Sequence, residues 1–497
     1  MTVPVEGFMY PNEVELAWSV LIVVYPYVTG LVAGAFILAS LERIFHVTAV
    51  KPTYRLALLT ALAFLLVAPM PLQLHLGHPE RSLEMYLTPN RYSAMAMFGF
   101  VYIWYLMAVL LLEIWLDFRR EIVLLSQSTT GWKRLLYRAL TLGSSNISEG
   151  ALRLDEKVGW MITLIGIPSA FLLHGYVGFI FGSVKANPWW SSPLMPVVFI
   201  FSAMVSGIAL VMLVYMAMMK IRRQPIDMRC VDTVARFLLY TFIIDFALEM
   251  LDLVHRIYEA DESFRSLDFM LHTKLFFSQV ILQVWLGTVA PILTIGLIQI
   301  FDVPEKLRRL AYAVCGCLTL VGIFAMRWNV VIGGQLFSKS FLGYTTYKVD
   351  LISREGELIA TALLILPFII LAVLMKILPP WLEGQPVSGD RRRRRRRIEA
   401  GGKQHGADHW GPRCFLLQRM KTSSPSGPST SFTSSLDCTA RQPAFNSQDS
   451  YCFNCPRWTS GIHRRPFGGA LHARLLILLS WYNQAGILLT GHFMKLY

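Results

Sequence analysis

Charged residues are scarce in this chain. Asp, Glu, Lys and Arg together make up 16% of the 497 residues, whereas hydrophobic residues make up 54%, and the mean hydropathy is +0.48. Soluble domains usually carry about 25% charged residues. The composition therefore excludes an ordinary soluble globular protein, and a lipid bilayer is the expected solvent of the chain.

Cysteine is also sparse. Of the seven cysteines, Cys230, Cys315 and Cys317 lie in the apolar part of the chain and four lie beyond residue 400. Iron–sulfur clusters are held by sets of cysteine thiolates, which the apolar part lacks. The pair Cys452 and Cys455 could be half of a metal site, but no second pair or suitably spaced histidine accompanies it. We predict neither a metal site nor an iron–sulfur cluster, and no disulfide is expected.

Long apolar runs fill the first 381 residues. A helix needs about 20 apolar residues to cross a bilayer. Nine stretches meet this requirement: Leu16–Leu41, Leu56–Leu74, Tyr92–Trp115, Val158–Phe181, Leu194–Lys220, Val231–Arg256, Lys274–Ile300, Leu307–Arg327 and Glu357–Leu378. We therefore predict an all-α, polytopic transmembrane helix bundle of about nine spans over residues 1–381. Because the N-terminus lacks a basic segment and its first apolar stretch is long enough to span, we expect no cleavable signal peptide.

The chain changes character after Trp381. Seven consecutive arginines, Arg391–Arg397, precede a Ser/Thr/Pro-rich stretch from Thr422 to Ser435. Such segments bury too little apolar surface to fold. We interpret residues 382–497 as a low-complexity basic tail that is either disordered or not native, because arginine and serine-proline runs are typical of a shifted reading frame.

Lys and Arg cluster on one side of the predicted spans. That side holds the basic residues of segments 43–55, 119–157, 220–229 and 306–309 and the arginine run, whereas the N-terminal segment before the first span has none. Cytoplasmic loops carry this excess in membrane proteins. The pattern predicts a multi-pass protein of the inner (cytoplasmic) membrane with its N-terminus outside and its C-terminus inside. This bias also accounts for the net charge of +14, so we predict contact with membrane lipid and no nucleic-acid partner.

A polar, histidine-bearing segment follows the second predicted span. It reads Leu-His-Leu-Gly-His-Pro-Glu-Arg and carries His75, His78, Glu80 and Arg81. Two imidazoles, a guanidinium and a carboxylate at the lipid boundary can bind a polar head group and exchange protons with it, while the adjoining helices hold an apolar tail. A quinone has both parts, and the segment therefore suggests a quinone site.

The sixth predicted span carries a stripe of charged residues. Asp245, Glu249, Asp252 and Arg256 recur at spacings of four, three and four, which places them on one helical face. Each such group costs roughly 2.5 to 3.5 kcal/mol at the bilayer centre. The stripe is either a proton path or a buried ion pair that fixes helix packing, for example with Arg327 of the eighth span. We favour the path, with these members: Asp245, Glu249, Asp252, His255 and Arg327.

Other polar groups within the spans are less specific. The end of the eighth span reads Arg327-Trp-Asn-Val-Val-Ile-Gly-Gly-Gln335, where the two glycines allow close backbone approach. Gly30 and Gly34 form a small-xxx-small pattern for helix packing. We interpret His174 and Glu113 as structural, His174 as a hydrogen-bonded packing residue and Glu113 as a carboxylate that reaches water at the inner end of its span.

The loop after the second span carries a family resemblance. His75-Leu-Gly-His-Pro-Glu-Arg81, followed by Thr88-Pro89 and Ser93-Ala-Met, resembles the NrfD/PsrC-type membrane subunit of polysulfide reductase-like complexes, and spacing and hydropathy extend the likeness over residues 10–381. Members of that family are helical, quinone-binding subunits without haem. They anchor a four-cluster iron–sulfur subunit of ferredoxin type and usually a molybdopterin catalytic subunit. Simple members have eight spans.

The resemblance implies a function and a site. The chain would be a quinol/quinone-binding subunit, without catalytic residues of its own, that passes electrons between menaquinone or ubiquinone and the iron–sulfur partner. The implied quinone-binding residues are His75, Gly77, His78, Pro79 and Arg81. Nearby membrane carboxylates would handle the protons.

Two other functions remain open at the level of sequence. A haem b anchor of a similar complex needs facing histidines at matched depth, but only His174 lies well within a span, with His255 and His272 at the edge. A proton-coupled transporter or channel is permitted by the carboxylate stripe without any redox partner. Internal repeats would favour a transporter, and none is evident.

Overall fold

In this computed structural model, the structure describes residues 5–259, 264–340 and 342–381, which all belong to one compact unit. The interpretation of residues 382–497 as a tail therefore lies outside the described residues and stays a prediction.

Helices make up nearly all of the described chain. The α-helices are α1 (Val20–Arg43), α2 (Lys51–Val67), α3 (Met70–His75), α4 (Glu84–Leu87), α5 (Ala94–Trp104), α6 (Leu112–Ser128), α7 (Trp132–Leu140), α8 (Glu149–Gly182), α9 (Met195–Ile221), α10 (Met228–Glu259), α11 (Phe264–His272), α12 (Ala290–Ile300), α13 (Glu305–Val331) and α14 (Glu357–Ile377). Two π-helical segments, Tyr105–Leu111 and Phe276–Val289, join α5 to α6 and lead into α12.

Eight helical stretches within the described ranges are long and apolar enough to cross a membrane. They are Val20–Arg43, Thr48–His75, Ala96–Ser128, Glu149–Gly182, Met195–Ile221, Phe276–Ile300, Glu305–Gln335 and Glu357–Ile377. These stretches coincide with eight of the nine predicted spans. The predicted all-α membrane bundle is thus confirmed.

The ninth predicted span is the charged helix α10, which is absent from those eight. It is 32 residues long and packs along α9. Near its first turns Asp232 pairs with Arg308 at the start of α13, and near its last turns Arg256 binds backbone carbonyls of the 183–194 loop. Since these contacts lie at opposite ends of the bundle, α10 runs its full length, and its acidic residues explain the low apolarity.

The first helix is the centre of the bundle. The membrane-spanning part of α1 is wholly buried and packs against α2, α8, α9 and α13. A helix that is apolar all round needs such an environment. Gly34 lies directly against Gly207 of α9, and a Cβ placed on Gly34 would stand 2.1 Å from the Ala203 carbonyl oxygen. The close packing predicted from the small-xxx-small pattern is confirmed at this glycine.

A small antiparallel ribbon lies at one end of the bundle. Strand β1 (Val5–Gly7) pairs with β2 (Gly343–Thr345), with Glu6 opposite Tyr344. We call this end, which also carries His75, the outer face and the opposite end the inner face, after the predicted orientation. That orientation itself stays a prediction.

Candidate functional site

His75 lies at the outer end of the second span. Pro69, which cannot donate a backbone hydrogen bond, separates α2 from α3, and His75 is the last residue of α3. Its Nδ1 lies 2.7 Å from Oε2 of Glu355, and its side chain is 21% exposed. Arg354 Nη2 donates to the Leu76 carbonyl oxygen at 3.1 Å. The segment before α14 therefore fixes the His75 ring and leaves Nε2 as its other polar atom.

The segment that carries Glu355 is itself well ordered by hydrogen bonds. The Ser353 hydroxyl and backbone N–H groups hold the pKa of Asp350 below its usual value. Burial and the neighbouring Glu357 carboxylate raise the pKa of Tyr347 to about 12. Tyr347 therefore stays a neutral donor to Glu357, with 3.3 Å between Oη and Oε1, and this bond joins the segment to the start of α14.

The other predicted quinone ligands are more exposed than His75. His78 Nδ1 lies 3.0 Å from Glu80 Oε1, and these two side chains are 73% and 66% exposed. Arg81 is exposed at the end of a short turn that begins at Pro79, and a Cβ on Gly77 would meet no atom within 4 Å. The structure thus places His75 with Glu355 and leaves the rest of the segment as an open polar rim.

The carboxylate stripe of α10 divides into two parts. Asp245 is 3% exposed, and its Oδ1 has no hydrogen-bond partner among the described residues. Glu249 accepts from Gln283, with Nε2 3.3 Å from Oε1. Asp252 instead accepts from Ser192 and pairs with Arg256, with 2.9 Å between Oδ2 and Nε. His255 is exposed one turn beyond.

Arg327 is fully buried inside the bundle and contacts mainly neutral groups. Nη2 donates to Ser202 Oγ at 2.7 Å and to His174 Nε2 at 3.1 Å, and the guanidinium stands 4.0 Å from the centre of the Phe199 ring. Asp245 and Glu249 are the carboxylates whose charge acts on it. A buried cation between neutral donors and two acidic residues joins α13, α8, α9 and α10 into one polar cluster.

His174 orients this cluster. Because Nε2 accepts from the guanidinium of Arg327, the ring carries its proton on Nδ1, which lies 3.3 Å from Thr29 Oγ1. The Thr29 hydroxyl in turn donates to the Tyr25 carbonyl oxygen at 3.1 Å. The sequence interpretation of His174 as a hydrogen-bonded residue is confirmed, but its bond to Arg327 was not foreseen.

A chain of amides extends from Glu249 toward the outer face. Asn329 Nδ2 donates to Gln283 Oε1 at 2.9 Å, and Ser278 Oγ donates to Asn329 Oδ1 at 2.5 Å. Gln283 and Ser278 lie in the π-helical segment Phe276–Val289, and π-helical turns are frequent at functional sites. Sequence reasoning missed both residues. Polar side chains within an apolar span were the signal that could have found them.

The loop between α8 and α9 closes the outer end of this cluster. Trp189 and Trp190 donate through their indole N–H groups to the carbonyl oxygens of Asn329 and Val330, at 2.9 and 2.6 Å. A Cβ on Gly334 would stand 2.0 Å from Trp190 Nε1. The close backbone approach predicted for the glycine pair is therefore confirmed.

A second group of buried carboxylates lies on α6 toward the inner face. Glu113 is 0% exposed and accepts from Thr163 Oγ1 at 2.7 Å and from the Tyr54 hydroxyl at 3.3 Å. Asp117 pairs with Arg43 at 2.8 Å and with Arg55 at 3.1 Å. The expectation that Glu113 reaches water is therefore wrong, because the neighbouring helices α1, α2 and α8 enclose it.

No group of three or more His, Cys, Asp or Glu side chains in the described ranges is arranged to hold a metal ion. In the same ranges Cys230 and Cys315 are free and buried, and Cys317 is free and exposed. Both ring nitrogens of His174 contact other side chains, so this histidine offers no nitrogen to a haem iron without rearrangement.

Comparisons with known proteins agree with this architecture. Among curated proteins, the chain is 29% identical over 328 residues to a subunit of the selenate reductase of Mesobacillus selenatarsenatis, which covers 64% of this chain and 73% of that protein. It is 27% identical over 205 residues to a putative dimethyl sulfoxide reductase membrane subunit of Halobacterium salinarum, covering 40% of this chain and 42% of the relative. It is 26% identical over 202 residues to the protein NrfD of Escherichia coli, covering 40% and 59%.

The family profile described as "Polysulphide reductase, NrfD" matches residues 9–339. The match takes in α1 to α13, the His75 segment and the α10 stripe, and ends before α14. It spans well over half of the chain and confirms the resemblance seen in the His75 segment. This protein therefore belongs to the NrfD family of membrane subunits of respiratory oxidoreductases.

Proposed function

We propose that this chain is the quinone-reacting membrane subunit of a respiratory oxidoreductase, passing electrons between the quinone pool and an iron–sulfur partner subunit. The observation that carries the proposal is the half-buried His75, held by Glu355 at the outer end of a membrane-spanning helix. Family membership and the relatives named as reductase subunits support it.

The residues around His75 fit a quinone. A quinone carries two electrons and two protons, and its head group needs hydrogen-bond donors beside an apolar surface. His75 offers Nε2, and the apolar side chains of Leu76 and Leu83 are 39% and 67% exposed nearby in the chain. The open space at Gly77 admits a ring, the turn at Pro79 fixes the segment, and the polar rim of His78 and Arg81 attracts its oxygens. Menaquinone and ubiquinone both meet these requirements.

Glu355 has a specific part in this site. A carboxylate at Nδ1 holds the imidazole in one orientation and makes Nε2 a better proton acceptor, as carboxylate–histidine pairs do elsewhere. His75 thus receives a proton at Nε2, and Glu355 stabilises the imidazolium that forms. The exposed pair of His78 and Glu80 passes that proton to the outer solution.

Electrons must leave through another subunit. The apolar part of the sequence has three separate cysteines and therefore no thiolate set for a cluster. We infer a four-cluster iron–sulfur subunit of ferredoxin type at the outer face and a molybdopterin catalytic subunit behind it. The chain itself supplies no catalytic residue for the terminal substrate.

The α10 stripe handles protons in this proposal. Asp245 and Glu249 exchange protons within the bundle, with Arg327 setting their electrostatic environment, and Asp252 and His255 lead toward the outer face. Amides such as Gln283 do not release protons readily, so Gln283 and Asn329 act by positioning the Glu249 carboxylate.

The quinone assignment is tested by replacing the loop histidines. Removing a buried hydrogen-bond donor costs roughly 1 to 3 kcal/mol, so His75→Ala should slow oxidation of a quinol analogue about 5- to 150-fold in membranes that hold the assembled complex. His78→Ala should have a smaller effect, because His78 is more exposed.

His272→Ala is the matched control, since His272 is also an outer-face histidine bonded to an acidic residue, Asp268. It should leave turnover unchanged. Normal turnover in His75→Ala, His78→Ala and the double variant would contradict the assignment. A haem Soret band in the purified protein would instead support a haem b anchor.

A further inference from the structure

The helix α7 lies at the depth where the membrane-spanning helices end. Its Tyr137 donates through the hydroxyl to the carbonyl oxygen of Ile377, the last residue of α14, at 2.9 Å. Trp115 of α6 donates through Nε1 to the carbonyl oxygen of Leu140 at 3.0 Å. The end of an apolar span marks the boundary between hydrocarbon and head groups. These two bonds therefore fix α7 at that boundary.

One face of α7 packs on the bundle and another is bare. Tyr137 is buried, whereas Trp132 and Leu135 are each 72% exposed and Leu142, just beyond the helix, is 75% exposed. Trp132, Leu135 and Ala139 share one side of the helix at spacings of three and four. Contiguous exposed apolar residues of this size mark an interaction surface.

Cations border this bare apolar face. Lys133, Arg134 and Arg138 are all exposed, and no carboxylate among the described residues pairs with them. No Asp or Glu occurs between Glu121 and Glu149, so the segment carries an uncompensated positive charge. A tryptophan and leucines on one side, with Lys and Arg beside them, are the features of a helix that lies in a membrane interface.

We propose that α7 is an acidic-lipid binding surface, with its apolar face inserted among the acyl chains and Lys133, Arg134 and Arg138 bound to phosphate groups of anionic phospholipids. The fixed depth of α7 and its charge favour lipid over other occupants. The arginine run of the chain's own C-terminal part is also cationic and would be repelled. The proposal does not depend on which side of the membrane α7 faces.

Hydrogen exchange of the full-length protein in lipid nanodiscs tests this surface. Two compositions are compared, phosphatidylcholine alone and an equal mixture of phosphatidylcholine and phosphatidylglycerol. Amides of residues 132–142 should exchange about tenfold more slowly with the anionic lipid. High salt should remove the difference, because the Debye length falls to about 3 Å at 1 M.

Two variants and a control separate the contributions. The triple change Lys133→Gln, Arg134→Gln and Arg138→Gln should abolish the dependence on anionic lipid. Trp132→Ser with Leu135→Ser should speed exchange in both membranes, and the fold should survive because both side chains are mostly exposed. The matched control removes three exposed cations of the α9–α10 region by changing Lys220, Arg223 and Arg229 to Gln, and it should keep the dependence.

Three outcomes would overturn the proposal. Equal exchange in the two lipid compositions would show that anionic lipid does not bind α7. A lipid dependence that persists in the triple variant would place the lipid elsewhere. Slower exchange that requires another protein, and occurs without anionic lipid, would assign the surface to protein contact instead.

Discussion

Two stripes of carboxylates cross this bundle, one on α6 and one on α10, and their surroundings differ. On α6 the members are Glu113, Asp117 and Glu121, at spacings of four. Asp117 binds two arginines, Arg43 of α1 and Arg55 of α2, and Glu121 shares Arg55. The α6 stripe is thus largely neutralised by cations of neighbouring helices, and it ties three helices together.

The α10 stripe has almost the same spacing and a different electrostatic balance. Asp252 alone forms an ion pair with an arginine, whereas Glu249 binds an amide and Asp245 has an oxygen without a partner among the described residues. Their cation, Arg327, is bonded to neutral His174 and Ser202. A buried carboxylate that lacks a direct ion pair is a candidate for proton exchange, and a paired one is a candidate for structure.

The largest expected effect is on the α6 stripe. Asp117→Asn leaves Arg43 and Arg55 without their shared counter-charge, and breaking a buried pair costs roughly 3 to 5 kcal/mol. The amount of folded protein in the membrane should fall sharply, while turnover per remaining molecule stays normal. Abundance and thermal unfolding measure this. Glu149→Gln is the control, because its pair with Arg153 is 80–89% exposed and should contribute little. Full abundance of Asp117→Asn would remove the contrast between the stripes.

The next effect concerns Glu249 and Asp245. Glu249→Gln and Asp245→Asn keep the side-chain shape and remove the transferable proton. Protein levels should stay normal, while quinol turnover falls by about 100-fold, the lower end for proton-transfer groups, with a changed pH profile. Membrane abundance and quinol-linked electron transfer decide the result. Low abundance with unchanged turnover per molecule would make this stripe structural too.

A smaller effect is expected at Asp252. Since Arg256 also donates to the carbonyl oxygens of Pro188 and Trp189, Asp252→Asn leaves it partly satisfied and should cost roughly 1 to 3 kcal/mol of stability. Turnover per molecule should change less than in Glu249→Gln. A loss of turnover equal to that of Glu249→Gln, at normal abundance, would extend the proton path to Asp252.

The last prediction concerns which side each stripe approaches and involves no change in stability. Reporter fusions after Asn90 should give an exterior signal, and fusions after Gly131 or Arg223 an interior one, because the charge bias lies in short loops. An interior signal at Asn90 would reverse the faces and move the proposed quinone site away from an external partner.

Much of the fold was accessible from the sequence because membrane helices obey a local rule. Every backbone group in hydrocarbon must be satisfied within its own helix, so span length and apolarity show in a window of about 20 residues. The failures were local as well. The helix α10 falls outside the apolar class because its polar side chains are shielded by neighbours, and Glu113 is enclosed by helices that no local pattern reveals.

The sequence by itself determined the membrane bundle, the family through the His75 segment, and the stripe on one face of α10, because each depends on spacing along the chain. Only the tertiary structure decided which charges meet. His75 binds Glu355 across 280 residues, and Arg327 binds His174 across 153. Pairing between helices depends on their packing, and packing is a property of side-chain shapes from several spans at once. For this reason the same carboxylate pattern is paired on α6 and largely unpaired on α10.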